Sequence, residues 1–171
     1  KDYTFRALMS GTGLKRTKMK DVMIVGDSGL AHEVCSWASG IFNVVGYSTF
    51  NGLTTSECKL PGKVFSDSQV TPEIAGTGSV LFAIGSSRVR KKLFNIYKSK
   101  GFNFPALVHP SSIVCRSARL GEGVIIAPNS VISFNVKIGD MSYINFQCGV
   151  GHDSVIGDYV QINPGSQIGG R

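Results

Sequence analysis

The sequence predicts two structural units in tandem, a small α/β unit followed by a parallel β-helix. Three observations carry this. Aliphatic residues recur every six positions from Val114 to Ile168. The segment before them alternates strand-like apolar runs with helix-like periodicity and glycine turns. Glycine supplies 21 of the 171 residues without a Gly-X-Y period, which fits a turn-rich β protein and excludes collagen.

In chain order, residues 21–25 (DVMIV) read as a buried strand. Gly26-Asp27-Ser28-Gly29 reads as a turn, and residues 30–39 as a helix with Val34 and Trp37 on its apolar face. Residues 41–47 and 80–84 read as further strands. Gly85-Ser86-Ser87 opens a helix over 88–100, where Val89, Leu93, Ile96 and Tyr97 follow helical spacing and a serine supplies the N-cap. Residues 106–109 form a short strand entering the repeat. Alternating β and α implies a parallel sheet that binds ligands at the carboxyl ends of its strands. Both glycine turns follow strands and open helices, so their free backbone N–H groups suit a phosphate. The G-x-G-x-x-G fingerprint is absent and no acid follows the second strand, where Ser48, Thr49 and Asn51 stand, which disfavours NAD.

The repeat places Val114, Leu120, Ile126, Ile132, Ile138, Ile144, Val150, Ile156, Ile162 and Ile168 in one register. Two positions earlier lies a small or β-branched residue, from Ser112 to Ser166. The residue after each aliphatic is mostly small, as at Gly121, Gly139 and Gly151, and is expected to hold the left-handed turn angle. Such a hexad describes one face of a triangular β-helix, three hexads making a coil of 18 residues. Each aliphatic then stacks on the one a coil away, at about 4.8 Å. An antiparallel sandwich has no reason to hold a six-residue period.

Composition bounds the function. The net charge of +7 is concentrated in residues 1–20, where six basic residues face only Asp2. This stretch reads as a flexible extension, and without aromatic-basic interleaving it does not point to nucleic acid. Cys35, Cys58, Cys115 and Cys148 form no C-x-x-C pair and lie at no zinc-finger spacing from a histidine, so neither metal nor a disulfide framework is expected. Reduced thiols suit a cytoplasmic protein. No apolar run reaches the roughly 20 residues of a membrane span, and no signal-peptide layout opens the chain. The chain stops at Arg171 inside a hexad, so further coils or a capping element are expected beyond it.

His152 and Asp153 are the sharpest chemical pair. His152 falls in a turn of the repeat, so its side chain points out of the prism, and Asp153 can hold one ring nitrogen and raise the basicity of the other. A surface histidine beside a surface acid is the plainer alternative. One coil above His152 lies Gly170, and one coil below lies Phe134.

From about residue 20 the chain resembles one family, the hexapeptide-repeat sugar O- and N-acetyltransferases of the sialic acid and bacillosamine type. The stretches that carry the resemblance are MIVGDSGLAHEV (23–34), FAIGSSRVRKKL (82–93), ALVHPSSIV (106–114) and INFQCGVGHDSVIGDYVQINPGSQIGG (144–170). The resemblance implies a Rossmann-like domain over 21–109 that binds a sugar nucleotide, and a left-handed β-helix over 110–171. It implies acetyl-CoA as co-substrate, a nucleotide-linked amino sugar as acceptor and a homotrimer with sites at subunit boundaries.

It also implies roles for residues. His152 is the catalytic base with Asp153 beside it, and the Gly170 N–H holds the thioester oxygen. Asn145 contacts substrate or serves as a turn residue. Gly26, Ser28, Gly29, Leu30 and Ser86 line the sugar-nucleotide site. Relatives carry a histidine where Leu30 stands, and His32 comes two positions late. Nucleotide-sugar members carry an Asp pair where Thr49 and Phe50 stand. Gln161 replaces a histidine found near acetyl-CoA, and His109 matches a structural histidine. Acetylation of a hydroxyl on sialic acid or a related sugar, or a non-catalytic scaffold or sugar-binding role, are the competing readings.

Overall fold

The computed structural model describes residues 19–49, 52 and 60–171. The basic stretch 1–18, Phe50, Asn51 and Cys58 lie outside the described residues.

The α/β unit runs β1 (Lys20–Val25), α1 (Gly29–Ala38), β2 (Phe42–Thr49), β3 (Lys63–Ser66), α2 (Pro72–Ala75), β4 (Val80–Phe82) and α3 (Ser87–Ser99). Its four strands are all parallel, in the order β3-β2-β1-β4. Period-two alternation divides β1 between two cores. Val22 and Ile24 pack with Ala31, Val34 and Ala38 of α1, while Met23 and Val25 pack with Phe94 and Tyr97 of α3. Cover on both faces explains why β1 reads as an unbroken apolar run. The chain turns one way after β1 and the other way to β4, and this reversal is where open α/β sheets bind ligands.

Two elements were not expected from the sequence. Helix α2 is opened by Thr71, whose Oγ1 accepts from Ile74 N, with Pro72 in the first turn. That cap-proline signal was present in the sequence. Strand β3 is a four-residue edge strand without an apolar run. The expected starts and ends of the other elements shift by one or two residues.

The parallel β-helix has eleven two-residue rungs: β5 (Leu107–Val108), β6 (Ile113–Val114), β7 (Arg119–Leu120), β8 (Ile125–Ile126), β9 (Val131–Ile132), β10 (Lys137–Ile138), β11 (Tyr143–Ile144), β12 (Gly149–Val150), β13 (Val155–Ile156), β14 (Gln161–Ile162) and β15 (Gln167–Ile168). They form three stacks, β13-β10-β7, β14-β11-β8-β5 and β15-β12-β9-β6. Partners lie one coil apart, as in Lys137 with Val155 and Tyr143 with Gln161. The first rung is β5, so the ladder begins before the expected boundary between residues 109 and 110.

The aliphatic ladder fills the prism, with Ile126, Ile132, Ile138, Ile144 and Val150 buried. The small column beside it is buried at Ser112, Val124, Ser130, Val136, Ser142, Cys148 and Ser154, and its buried serines stay satisfied there. Ser130 Oγ donates to Asn145 O (2.7 Å) and Ser142 Oγ to Gly157 O (2.7 Å). A buried hydroxyl is tolerated because it is paired.

The left-handed corner differs from expectation. It falls three positions after the aliphatic, not one, at Gly123, Asn129, Asn135, Met141, Gln147, Asp153, Tyr159 and Gly165. The glycines directly after the aliphatics serve close packing between coils instead. A β-carbon on Gly121 would stand 2.7 Å from Asp140 N.

The β14-β11-β8-β5 stack joins the two units. Leu107, Ile125 and Tyr143 enter the core under α1, and Trp37 stacks on Tyr143 with ring centroids 6.2 Å apart. Arg90 of α3, 3% exposed, fastens the adjoining corner. Its Nε donates to Met141 O (2.7 Å), its Nη1 to Ile84 O (2.6 Å) and its Nη2 to Tyr159 O (2.8 Å). Among the described residues, no helix is long and apolar enough to cross a membrane.

Candidate active site

His152 sits in the corner between β12 and β13. The aliphatic Val150 points inward, so the chain turns at His152-Asp153 and both side chains leave the prism. Asp153 takes the left-handed angle of that corner (φ 63°), which aspartate tolerates better than most residues. His152 Nδ1 lies 2.9 Å from Asp153 Oδ2. A carboxylate only accepts, so Nδ1 carries the proton and Nε2 keeps its lone pair. The side chains are 56% and 36% exposed, so the pair is open to a substrate.

Asp153 has a second partner. Asn135, one coil below, donates from Nδ2 to Asp153 Oδ1 (2.8 Å). The Asn135 amide first, and His152 second, hold the Asp153 carboxyl below its ordinary value. Sequence reasoning missed Asn135. Its signal was the 18-residue period itself, applied to Asp153 as it had been to His152.

Gly170 stands over the imidazole. A β-carbon there would lie 2.8 Å from His152 Nε2. The coils meet closely at this point, since a β-carbon on Gly151 would collide with Gly170 N. The Gly170 N–H has no hydrogen-bond partner among the described residues. Phe134, one coil below His152, is 60% exposed at the same corner. Open grooves flank the corner on both faces, one lined by Arg119, Lys137 and Val155, the other by Val131, Gly149 and Gln167.

The remaining expected site residues gather elsewhere. Gly26 and the Gly85-Ser86 turn lie at the carboxyl ends of the paired strands β1 and β4. Gly26 has φ 117°, and a β-carbon there would stand 2.8 Å from Ala83 O. Its N–H is not free as expected, because it donates to Ser48 O (2.9 Å). Ser28 precedes α1, and its side chain makes no cap bond. Gly29 has open space where a side chain would be. Leu30 packs against the core under α1. Ser86 caps α3 by accepting from Val89 N (3.4 Å) and is exposed. The Gln161 side chain approaches Gly85 from the β-helix.

Asn145 is buried, and its Oδ1 accepts from Phe146 N (2.8 Å) and Tyr143 Oη (3.3 Å). Its oxygen is thus committed within the turn. His109 Nδ1 is bound to Ser111 (2.8 Å to Oγ), and burial lowers its pKa. Among the described residues, no group of three His, Cys, Asp or Glu gathers around a metal position.

The family described as bacterial transferase hexapeptide (six repeats) matches residues 135–170, the stretch that holds Asn135, His152, Asp153 and Gly170. Residues 135–170 are similar to the hexapeptide repeats of bacterial transferases. GDP-perosamine N-acetyltransferase of Escherichia coli O157:H7 is 34% identical over 88 residues, which cover 52% of this chain and 40% of that protein. UDP-N-acetylbacillosamine N-acetyltransferase of Bacillus subtilis is 32% identical over 115 residues, covering 63% and 51%. The chain therefore spans about half the length of these relatives, or less.

Among solved structures, WeeI from Acinetobacter baumannii AYE aligns with a TM-score of 0.72 at 26% identity, covering 90% of this chain and 73% of that one. A histidine-to-asparagine mutant of perosamine N-acetyltransferase from Caulobacter crescentus, solved with CoA and GDP-perosamine, aligns with a TM-score of 0.51 at 22% identity. That alignment covers 93% of this chain and 86% of the other and shows a shared fold. The stacked parallel rungs of the hexapeptide array fit a left-handed β-helix.

Proposed function

We propose that the chain forms the acceptor-binding and catalytic part of an acetyl-CoA-dependent transferase, acetylating an amino group on a nucleotide-linked sugar. One observation carries the reading. His152 has one ring nitrogen tied to a carboxylate, while the other stands open beside the backbone of Gly170. That is a general base next to a donor for a developing oxyanion.

In this reading the acceptor nitrogen attacks the thioester carbonyl of acetyl-CoA. A C–N bond forms, and the proton on that nitrogen passes to His152 Nε2. The oxygen that gains charge meets the Gly170 N–H. Collapse breaks the C–S bond, and the leaving thiolate takes the proton back from the imidazolium. Asp153 stabilises that imidazolium and keeps the ring in place. Cys148 is buried in the prism with Sγ 3.1 Å from Asn163 O, so transfer is direct rather than through that thiol.

The α/β unit serves as a Rossmann-like acceptor domain, with the sugar nucleotide in the crevice edged by Gly26, Ser28, Gly29, Leu30 and Ser86. The prism argues for sharing between copies. The α/β unit packs on the β14-β11-β8-β5 stack, whereas His152 lies on the corner joining the other two stacks. A site that unites crevice and base therefore takes the crevice of one copy and His152 of another, as in a homotrimer. Acetyl-CoA lies in a groove beside the His152 corner, and its supply places the reaction in the cytoplasm.

The names of the relatives favour nitrogen over oxygen as the acceptor atom, since both are N-acetyltransferases. The test is product analysis with acetyl-CoA and a panel of GDP-, UDP- and dTDP-linked amino sugars and free sialic acid. Mass spectrometry showing one added acetyl group on an amino sugar supports the proposal. Acetylation of sialic acid alone moves the reading to O-transfer. No product across the panel, from the full-length protein, overturns it in favour of a scaffold.

A further inference from the structure

We infer that Asn135 is a positioning residue of the catalytic pair, fixing the Asp153 carboxylate so that it in turn fixes the imidazole of His152. The inference rests on the proposed role of His152 as base. It comes from the way the coils stack. Asn135 occupies the left-handed corner (φ 57°) directly beneath Asp153, and its own N–H is held by Ser117 Oγ (2.9 Å) from the coil below that. Its backbone is thereby anchored, and its side-chain amide reaches up to the next coil. Nδ2 donates to Asp153 Oδ1, and the opposite oxygen, Oδ2, receives His152 Nδ1. Each carboxylate oxygen is engaged by a different partner, so the plane of the group is set and cannot rotate without losing one bond.

The consequence is chemical. A carboxylate free to turn would release Nδ1–H and let the ring adopt the opposite tautomer, with its proton on Nε2, where the base must be empty. Among the described residues, the charged groups around the pair are Arg171 on the coil above, whose N–H donates to His152 O, and Lys137 and Arg119 along the groove beside the corner. The Asn135 amide also favours the ionised form of Asp153.

Asn135→Gly and Asn135→Asp separate this from a structural role. Both residues accept the left-handed angle, so both variants keep the corner, and both delete the amide donor. In the unliganded protein, 15N spectra of His152 are expected to show the Nε2–H tautomer growing at the expense of Nδ1–H. Carbon-13 titration is expected to show the Asp153 carboxyl moving up in Asn135→Gly. With acetyl-CoA and GDP-perosamine, kcat is expected to fall about tenfold, a part of the ~10²–10⁴ supplied by general-base catalysis, with both KM values unchanged. Adding Asn135→Gly to His152→Ala should cost nothing further, because residues acting as a unit are not additive. Unchanged His152 tautomers and an unchanged Asp153 titration in both variants would overturn the inference whatever the activity. Full turnover in His152→Ala would overturn the underlying reading instead.

Discussion

A β-carbon at position 170 would stand 2.8 Å from Nε2 of His152 and 3.0 Å from Cε1, so any side chain on the coil above the histidine must displace the ring. Gly170 is not among the positive-φ glycines, so its backbone angles do not themselves call for glycine. Gly170→Ala should therefore fold normally and push the ring off its rotamer. Turnover is expected to drop by about 10²-fold, the scale of a misplaced reacting group, with Tm little changed. Steady-state kinetics and thermal denaturation check the two halves together.

Asp153→Asn keeps a residue that tolerates the left-handed corner while removing the charge. Its effect on stability depends on pH. The bonds from Asn135 and His152 depress the folded carboxyl, so their contribution is present above the ordinary carboxylate value and is lost as pH falls through the lower folded one. The wild-type chain should lead Asp153→Asn in Tm near neutrality, and the gap should close below about pH 4. Denaturation scans across pH measure it. A gap that widens in acid would contradict the sign.

Arg90 of α3 lies buried against the corner carbonyls of the prism, has no carboxylate partner among the described residues, and has its pKa depressed by burial. Arg90→Met would strand the carbonyls of Met141, Ile84 and Tyr159, at an expected cost of about 3 kcal/mol. Lysine should not rescue it, since one ammonium cannot span three directions that a planar guanidinium reaches at once. Chemical denaturation of the three forms tests this.

Gln147 holds a left-handed corner (φ 58°) where neighbouring coils carry Asn129 and Asn135. Its side chain is exposed, and its N–H and carbonyl bond through the backbone, to Pro128 O and from Gln167 Nε2. Gln147→Asn should therefore stabilise the protein by about 0.5–1 kcal/mol, since asparagine enters this region at lower cost. A loss of stability on denaturant titration would contradict the corner assignment.

If the site joins two copies, mixing inactive chains should restore it. His152→Ala brings an intact crevice, while Gly26→Val, which presses on Ala83 O, brings an intact base. Co-refolded mixtures should regain part of the wild-type turnover. No regain from mixed, correctly assembled oligomers would place base and crevice within one chain.

What was legible in the sequence follows from range and from redundancy. Ile126, Ile144 and Ile162 announce the prism because each fills the same slot one coil apart, and no single residue has to be read alone. The His152–Asp153 contact was legible because the two are adjacent. Asn135 reaches Asp153 across a full coil, and only the side-chain geometry shows it. The glycine columns misled for a physical reason. Close coil contact at Gly121 and a left-handed angle at Gly123 select the same residue type, so composition could not separate them. Arg90 sits in RVRKK, where the pattern reads as a solvated helix face, and burial against the prism is a tertiary fact that helical periodicity does not carry. Strand β3 is too short and too polar to stand out from a loop.

The most direct test of the central claim is thiol release from acetyl-CoA by His152→Ala and the unaltered protein, side by side, at saturating amino-sugar nucleotide. The account predicts at least about a 10²-fold loss of kcat in a protein that still melts like wild type. Turnover within a few-fold of wild type would show that His152 is not the base.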